Sequence, residues 1–205
     1  MKLLLTSAGW STDAIKQVFL SLLPKPPQEC SILLIACVQS LEEQHWIDAE
    51  KEELHSMEIE KISIYNLLEK TSPTEISMDV LCVCGGNTFV YLDRLRKTGM
   101  DQIIKQAITS DQSVYIGISA GSIIAGPDIE IAGWGSLGDL NEIGLQDLQG
   151  FDFTNTAIFP HYTSEQDQEV KEFQTHVSYP IVTLTDDQAL LITDKKQTLI
   201  SSSFL

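Results

Sequence analysis

Apolar runs rich in β-forming residues alternate with helical patterns along most of this chain. Residues 2–7 read as a strand, and Ser11-Thr12-Asp13 then caps a helix that reaches about Leu23, where Pro24, Pro26 and Pro27 end it. The run "SILLIA" at 31–36 is a second strand, followed by a long charged helix over about 41–57. Residues 61–66 and 80–84 supply a third and fourth strand, and a helix or helix pair fills 88–110. A fifth strand at 114–118 leads straight into a helix that begins over 120–125. Further strands are predicted at 154–159, 181–185 and 189–193, and Asp194-Lys195-Lys196 reads as a hairpin turn into a last strand near 198–202. Between Ser164, its expected cap, and Val177 lies a short polar helix. Strands that are apolar throughout are buried on both faces. The alternation therefore predicts an α/β fold: one domain over 1–205 with a doubly wound, mostly parallel sheet and antiparallel edge strands at the C-terminal end.

One segment breaks the alternation. Residues 126–150 hold six of the twelve glycines and show little periodicity. Long insertions of this kind are often functional, and a solvated surface excursion is the other reading.

Charge narrows the function. With 13 Lys+Arg against 29 Asp+Glu the net charge is -16, which disfavours both a partner with a phosphate backbone and an anionic membrane surface. The opening "MKLLLTSAGW" carries too short an apolar run for a signal peptide, and no later run approaches the ~20 residues of a membrane span. Cys30, Cys37, Cys82 and Cys84 make no zinc-type spacing. Cys82 and Cys84 alternate within a strand and should share a face, so buried free thiols in a cytoplasmic protein are expected, with neither metal nor cofactor.

The stretch "VYIGISAGSIIAG" brings in chemistry. Its glycines would permit a sharp strand-to-helix turn and nothing more. Gly117-Ile118-Ser119-Ala120-Gly121 also fits G-x-S-x-G, the turn that thrusts a nucleophilic serine out at a strand end. In open α/β sheets ligands bind beyond the carboxyl ends of the strands. Four reactive groups fall there on one predicted sheet: Ser119, the turn Gly85-Gly86-Asn87-Thr88, His161 after "TAIFP", and Asp186-Asp187 after "IVTLT". A serine hydroxyl needs a base, which histidine supplies near neutral pH, and a carboxylate fixes the histidine tautomer. Backbone N–H groups must hold the oxyanion; Ala120 follows the nucleophile, and Gly86 or Gly85 could give the second donor. Asn87 and, in the glycine-rich segment, Trp134 are candidate substrate contacts. His45 and His55 belong to the charged helix and read as solvated, His176 suits a helix end, and Asp187 reads as a turn former. Glu165 and Asp167 suit the first turn of the helix after His161.

The segments "CGGNTF", "YIGISAGS", "FPHY" and "TLTDDQALLI", in that order, resemble the peptidase E family of serine peptidases, which includes cyanophycinase-like enzymes. The resemblance implies a flavodoxin-like sheet akin to that of class I glutamine amidotransferases. It implies Ser119 as nucleophile, His161 as base and Gly86 as oxyanion donor. The family's third member is usually a glutamate; the matching position here is Asp186, one methylene shorter. The order Ser, His, acid also sets the chain apart from α/β-hydrolases. A small peptide is the implied substrate. The family's members favour N-terminal aspartate or an aspartate polymer, whereas residues 119–169 here contain no lysine or arginine, so no preference for aspartyl dipeptides is expected. A catalytically silent binding module on the same sheet is the alternative, and a cysteine-type amidotransferase is a distant third because the elbow carries serine.

Overall fold

The structure, a computed structural model, describes residues 1–38, 40–69, 77–194 and 196–201. Among these, nine strands form two sheets. The larger contains β1 (Lys2–Thr6), β2 (Ser31–Ala36), β3 (Lys61–Asn66), β4 (Val80–Val83), β5 (Val114–Ile118), β8 (Ala189–Thr193) and β9 (Lys196–Ile200) in the order β3-β2-β4-β5-β1-β8-β9. Its first five members pair in parallel, with Leu3 opposite Tyr115 and Leu81 opposite Tyr115 on the other side. β8 and β9 add antiparallel to β1. β4 and β5 are buried at every position, as continuous apolar runs require when both faces are covered.

The helices are α1 (Asp13–Leu22), α2 (Leu41–Ser56), α3 (Thr88–Thr98), α4 (Met100–Thr109), α5 (Ala120–Ile124) and α6 (Asp167–Gln174). Thr12 caps α1 by accepting from Ile15 N–H, and Ser40 with Glu43 forms a capping box at α2. The 88–110 stretch is a helix pair, divided at Gly99, whose φ of 76° ends α3.

Three expectations need correction. The runs near 154–159 and 181–185 do not join the main sheet; β6 (Ala157–Phe159) and β7 (Ile181–Thr183) pair in parallel as a sheet of their own. Gln197 Nε2 donates to the hydroxyls of Thr154 and Thr156, which lie outside the ladder. The cap before α6 is Thr163, not Ser164: Gln166 Oε1 accepts from its N–H at 2.9 Å, and a 3-10 turn over Ser164–Gln166 precedes the helix. The final strand starts at Lys196, two residues earlier than read, because Asp194 adopts φ 48° and closes the turn tightly; Lys195 and Ser202 lie outside the described residues. All four cysteines are buried with free thiols.

Glu50 on α2 is packed against the loop after β1, where a Cβ on Gly9 would meet its Oε1 at 2.7 Å. Burial, reinforced by nearby Glu53, pushes its carboxyl up to about 7 from an ordinary value of 4.5. A raised carboxyl pKa favours the protonated form in the fold, so stability is lost as pH rises from about 4.5 towards 7. Glu50→Gln should therefore be up to about 3 kcal/mol more stable than the parent at pH 8 and show no gain at pH 4.5. Urea unfolding at the two pH values measures this; an equal gain at both would exclude ionisation as the cause.

Candidate active site

The site forms where the carboxyl ends of β1, β4 and β5 meet those of the small sheet β6–β7. Ser119 follows β5 with φ 49° and ψ -107°, a conformation that costs a non-glycine residue about 1–3 kcal/mol. The surrounding structure enforces it. A Cβ on Gly121 would lie 2.1 Å from Val83 O, and one on Gly117 would lie 2.7 Å from the Gly121 backbone, so α5 packs onto β4 and β5 only through glycine. Ser119 N–H donates to Thr6 O at 3.1 Å, and the buried Ser122 hydroxyl contacts Thr6 O and Gly117 O at 2.8 Å each. These bonds lock the turn to β1.

The structure brings Ser119, His161 and Asp186 together. Ser119 Oγ is 2.8 Å from His161 Nε2, and His161 Nδ1 is 2.7 Å from Asp186 Oδ1. A carboxylate only accepts, so Nδ1 carries the proton and Nε2 is left to accept from the serine hydroxyl. His161 and Asp186 side chains are 52% and 65% exposed, which leaves the imidazole edge open to an incoming molecule. Both residues are placed by the small sheet. Beyond its ladder, Leu184 N–H donates to Phe159 O at 2.9 Å and Tyr162 N–H to Leu184 O at 3.0 Å, tying the segment around His161 to Leu184, two residues before Asp186. Asp187 instead accepts from the Thr185 hydroxyl within its own turn.

Ser7, which no motif in the sequence marks, joins the site. It is fully buried, accepts from His161 N–H at 2.7 Å and donates to Asp186 Oδ1 at 2.9 Å. One hydroxyl thus fixes the backbone of the histidine and the carboxylate that orients its ring. Ser11 Oγ donates to Asp186 O at 2.6 Å and holds the other end of that residue. The strand-end rule reaches Ser7 only once β1 is seen to stop at Thr6, one residue short of the 2–7 run that the pattern predicts. Ser7→Ala leaves the His161 N–H unpaired, and we expect kcat to fall about 10–100-fold with KM little changed, the size expected for a misplacement on the order of 1 Å. A shifted downfield proton resonance for the His161–Asp186 bond would accompany it; an unchanged resonance and kcat would deny Ser7 a positioning role.

Gly86 has φ 145°, and a Cβ there would meet Tyr91 at 2.7 Å; a Cβ on Gly85 would lie 3.3 Å from Ser119 Cβ. The glycine turn therefore lies directly against the serine. Ala120 begins α5, where the first N–H groups have no partner within the helix. Asn87 uses both ends of its amide within the protein: Oδ1 accepts from Val90 N–H at 3.1 Å and Nδ2 donates to Leu140 O at 3.0 Å. Trp134 lines the cleft, with Nε1 donating to Glu169 O at 2.9 Å and its ring against Phe173 and His176. His45 and His55 are exposed on α2, and His176 is exposed beyond α6.

A cleft of about 130 Å³ opens beside Ser119, and six of its fourteen lining residues belong to the glycine-rich segment. That segment is a closed loop, not a loose excursion. Phe151 N–H donates to Ile124 O at 2.7 Å, and Gly150 N–H to Pro127 O at 3.0 Å, joining its two legs. Arg96 clamps it by donating to Asp147 O at 2.6 Å and Gln149 O at 2.7 Å.

The sequence matches peptidase family S51 over residues 3–200. The chain belongs to peptidase family S51. An uncharacterised peptidase of Pasteurella multocida is 27% identical over 146 residues, covering 69% of this chain and 67% of that one. Peptidase E of Escherichia coli is 30% identical over 114 residues, covering 54% of this chain but only 45% of its own length. The crystal structure of a candidate peptidase E protein from Listeria monocytogenes superposes with a TM-score of 0.81 at 22% identity, covering 98% of both chains, and shares the fold. Among the described residues no helix is long and apolar enough to cross a membrane.

Proposed function

We propose that this S51 member is a serine peptidase that removes residues from the amino end of short peptides through an acyl-enzyme. The observation that carries the reading is the continuous Ser119–His161–Asp186 chain of contacts at 2.8 and 2.7 Å on a strained strand-to-helix turn. Ser119 Oγ attacks the scissile carbonyl carbon while His161 Nε2 takes its proton. The oxyanion is held by the N–H of Gly86 and that of Ala120, with Gly85 keeping the turn close. As the tetrahedral intermediate collapses, the C–N bond breaks and His161 returns the proton to the leaving amine. Water, deprotonated by His161, then attacks the ester carbonyl carbon; the C–Oγ bond breaks, His161 returns the proton to Ser119 Oγ, and the acid leaves. Asp186 stabilises the imidazolium in both half-reactions. Four free buried thiols suit the reducing cytoplasm.

A fluorophosphonate probe and a dipeptide library test this directly. One label per chain, on Ser119, together with hydrolysis of dipeptides is the expected result. Neither labelling nor hydrolysis would overturn the reading and leave a binding module on a peptidase fold.

A further inference from the structure

The cleft beside Ser119 contains two ionisable side chains, His161 and Asp139, and neither lysine nor arginine. An acidic substrate side chain would lose water there and meet no cation, which is strongly unfavourable. Much of the remaining wall is apolar: Ile123, Ile131, Ala132 and Phe159 are buried, Leu137 stands on the rim with 82% of its surface exposed, and Thr88 and Gln166 are the uncharged polar side chains beside them. An apolar group entering the cleft would bury that leucine and gain from the apolar area both remove from water.

Asp139 has the opposite character and is held firmly. Its Oδ2 accepts from Thr88 N–H at 2.7 Å, and its own N–H donates to Ala132 O at 2.7 Å. The next residue, Leu140, gives its carbonyl to Asn87 Nδ2 at 3.0 Å. Asp139 Oδ1 takes no hydrogen bond among the described residues. Thr88 follows Gly86 by two residues, a chain distance of at most about 7 Å. The carboxylate is therefore anchored to the same glycine turn that lies against Ser119. An N-terminal α-ammonium is separated from its own carbonyl carbon by a single carbon atom, so an ammonium and a scissile carbonyl require neighbouring subsites of this kind.

We infer that Asp139 Oδ1 receives the free α-ammonium of the substrate and that the apolar walls take an uncharged side chain, so the cleft selects short peptides beginning with a neutral, apolar residue. The inference rests on the serine-peptidase reading, because it places the ammonium relative to Ser119. It also assigns Asn87 a role through the loop, as the residue that holds Asp139's neighbour in place.

Peptide binding to the full chain carrying Ser119→Ala separates this from catalysis. Titration with Ala-Leu, N-acetyl-Ala-Leu and Asp-Leu, followed by calorimetry or NMR, should show Ala-Leu bound at least about 10-fold more tightly than either of the others, the size of a charge-assisted contact in a partly dry site. Adding Asp139→Asn, which keeps an oxygen for Thr88 N–H but removes the charge, should erase the difference between Ala-Leu and its acetylated form. A difference that survives Asp139→Asn, tighter binding of Asp-Leu than of Ala-Leu, or binding of none of the three overturns the inference. The expected binding pattern in a parent chain that hydrolyses no peptide would overturn the serine-peptidase reading alone.

Discussion

Ser119→Ala is expected to lower kcat roughly 10⁶-fold and to abolish fluorophosphonate labelling, because in the proposed mechanism the nucleophile and its base act as one unit. The residual rate should stand about 10³–10⁴ above that of water, from the oxyanion donors and substrate binding alone. Alanine is a demanding choice here because Ser119 occupies φ 49°, where any side chain bears the same strain. The turn should survive nonetheless, since its bonds involve other atoms: Ser119 N–H to Thr6 O, and Ser122 Oγ to Thr6 O and Gly117 O. The hydroxyl that is lost makes one contact, to His161. Stability within about 1 kcal/mol of the parent is thus expected together with a near-complete loss of turnover. Turnover reduced less than about 100-fold in protein free of contaminating peptidase would remove Ser119 from the mechanism.

Much of this architecture could be read from the chain because its parts obey local rules. The apolar runs at Ser31–Ala36 and Lys61–Asn66 have the bounds the pattern predicts, and Gly99 divides the helix pair by adopting a positive φ. What the pattern could not decide was pairing. Ala157–Phe159 and Ile181–Thr183 are runs of β-forming residues like those of the main sheet, and such a run carries no label for the partner it will choose. The strand-end rule nevertheless placed His161 and Asp186 beside Ser119, because the carboxyl ends of both sheets converge on one cleft. The same rule, applied only to nucleophiles, bases and acids, passed over Ser7, whose role is to bridge two of them by hydrogen bonds. Asp139 was not distinguished from the other acids of its segment, since its setting depends on a bond to Thr88 from across the cleft wall, fifty-one residues away in the chain.

Asp186→Asn is expected to lower kcat about 10³–10⁴-fold, while Asp187→Asn should stay within about twofold of the parent. Asp186 Oδ1 accepts both from His161 Nδ1 at 2.7 Å and from the Ser7 hydroxyl at 2.9 Å. An asparagine that presents its NH₂ to the ring would force the proton onto Nε2, and Nε2 could then no longer accept from Ser119. An asparagine that presents its oxygen would keep the tautomer but remove the charge that stabilises the imidazolium. Either orientation costs turnover, and the 65% exposure of the aspartate argues for the lower end of the range, because water screens part of the charge effect. Asp187 provides the internal control. It accepts from the Thr185 hydroxyl, and asparagine keeps an oxygen in that place. Comparable losses in the two variants, or a crippling loss in Asp187→Asn alone, would move the acid away from Asp186. Retention of the downfield His161 proton resonance in Asp187→Asn and its loss or displacement in Asp186→Asn would locate the carboxylate independently of any substrate.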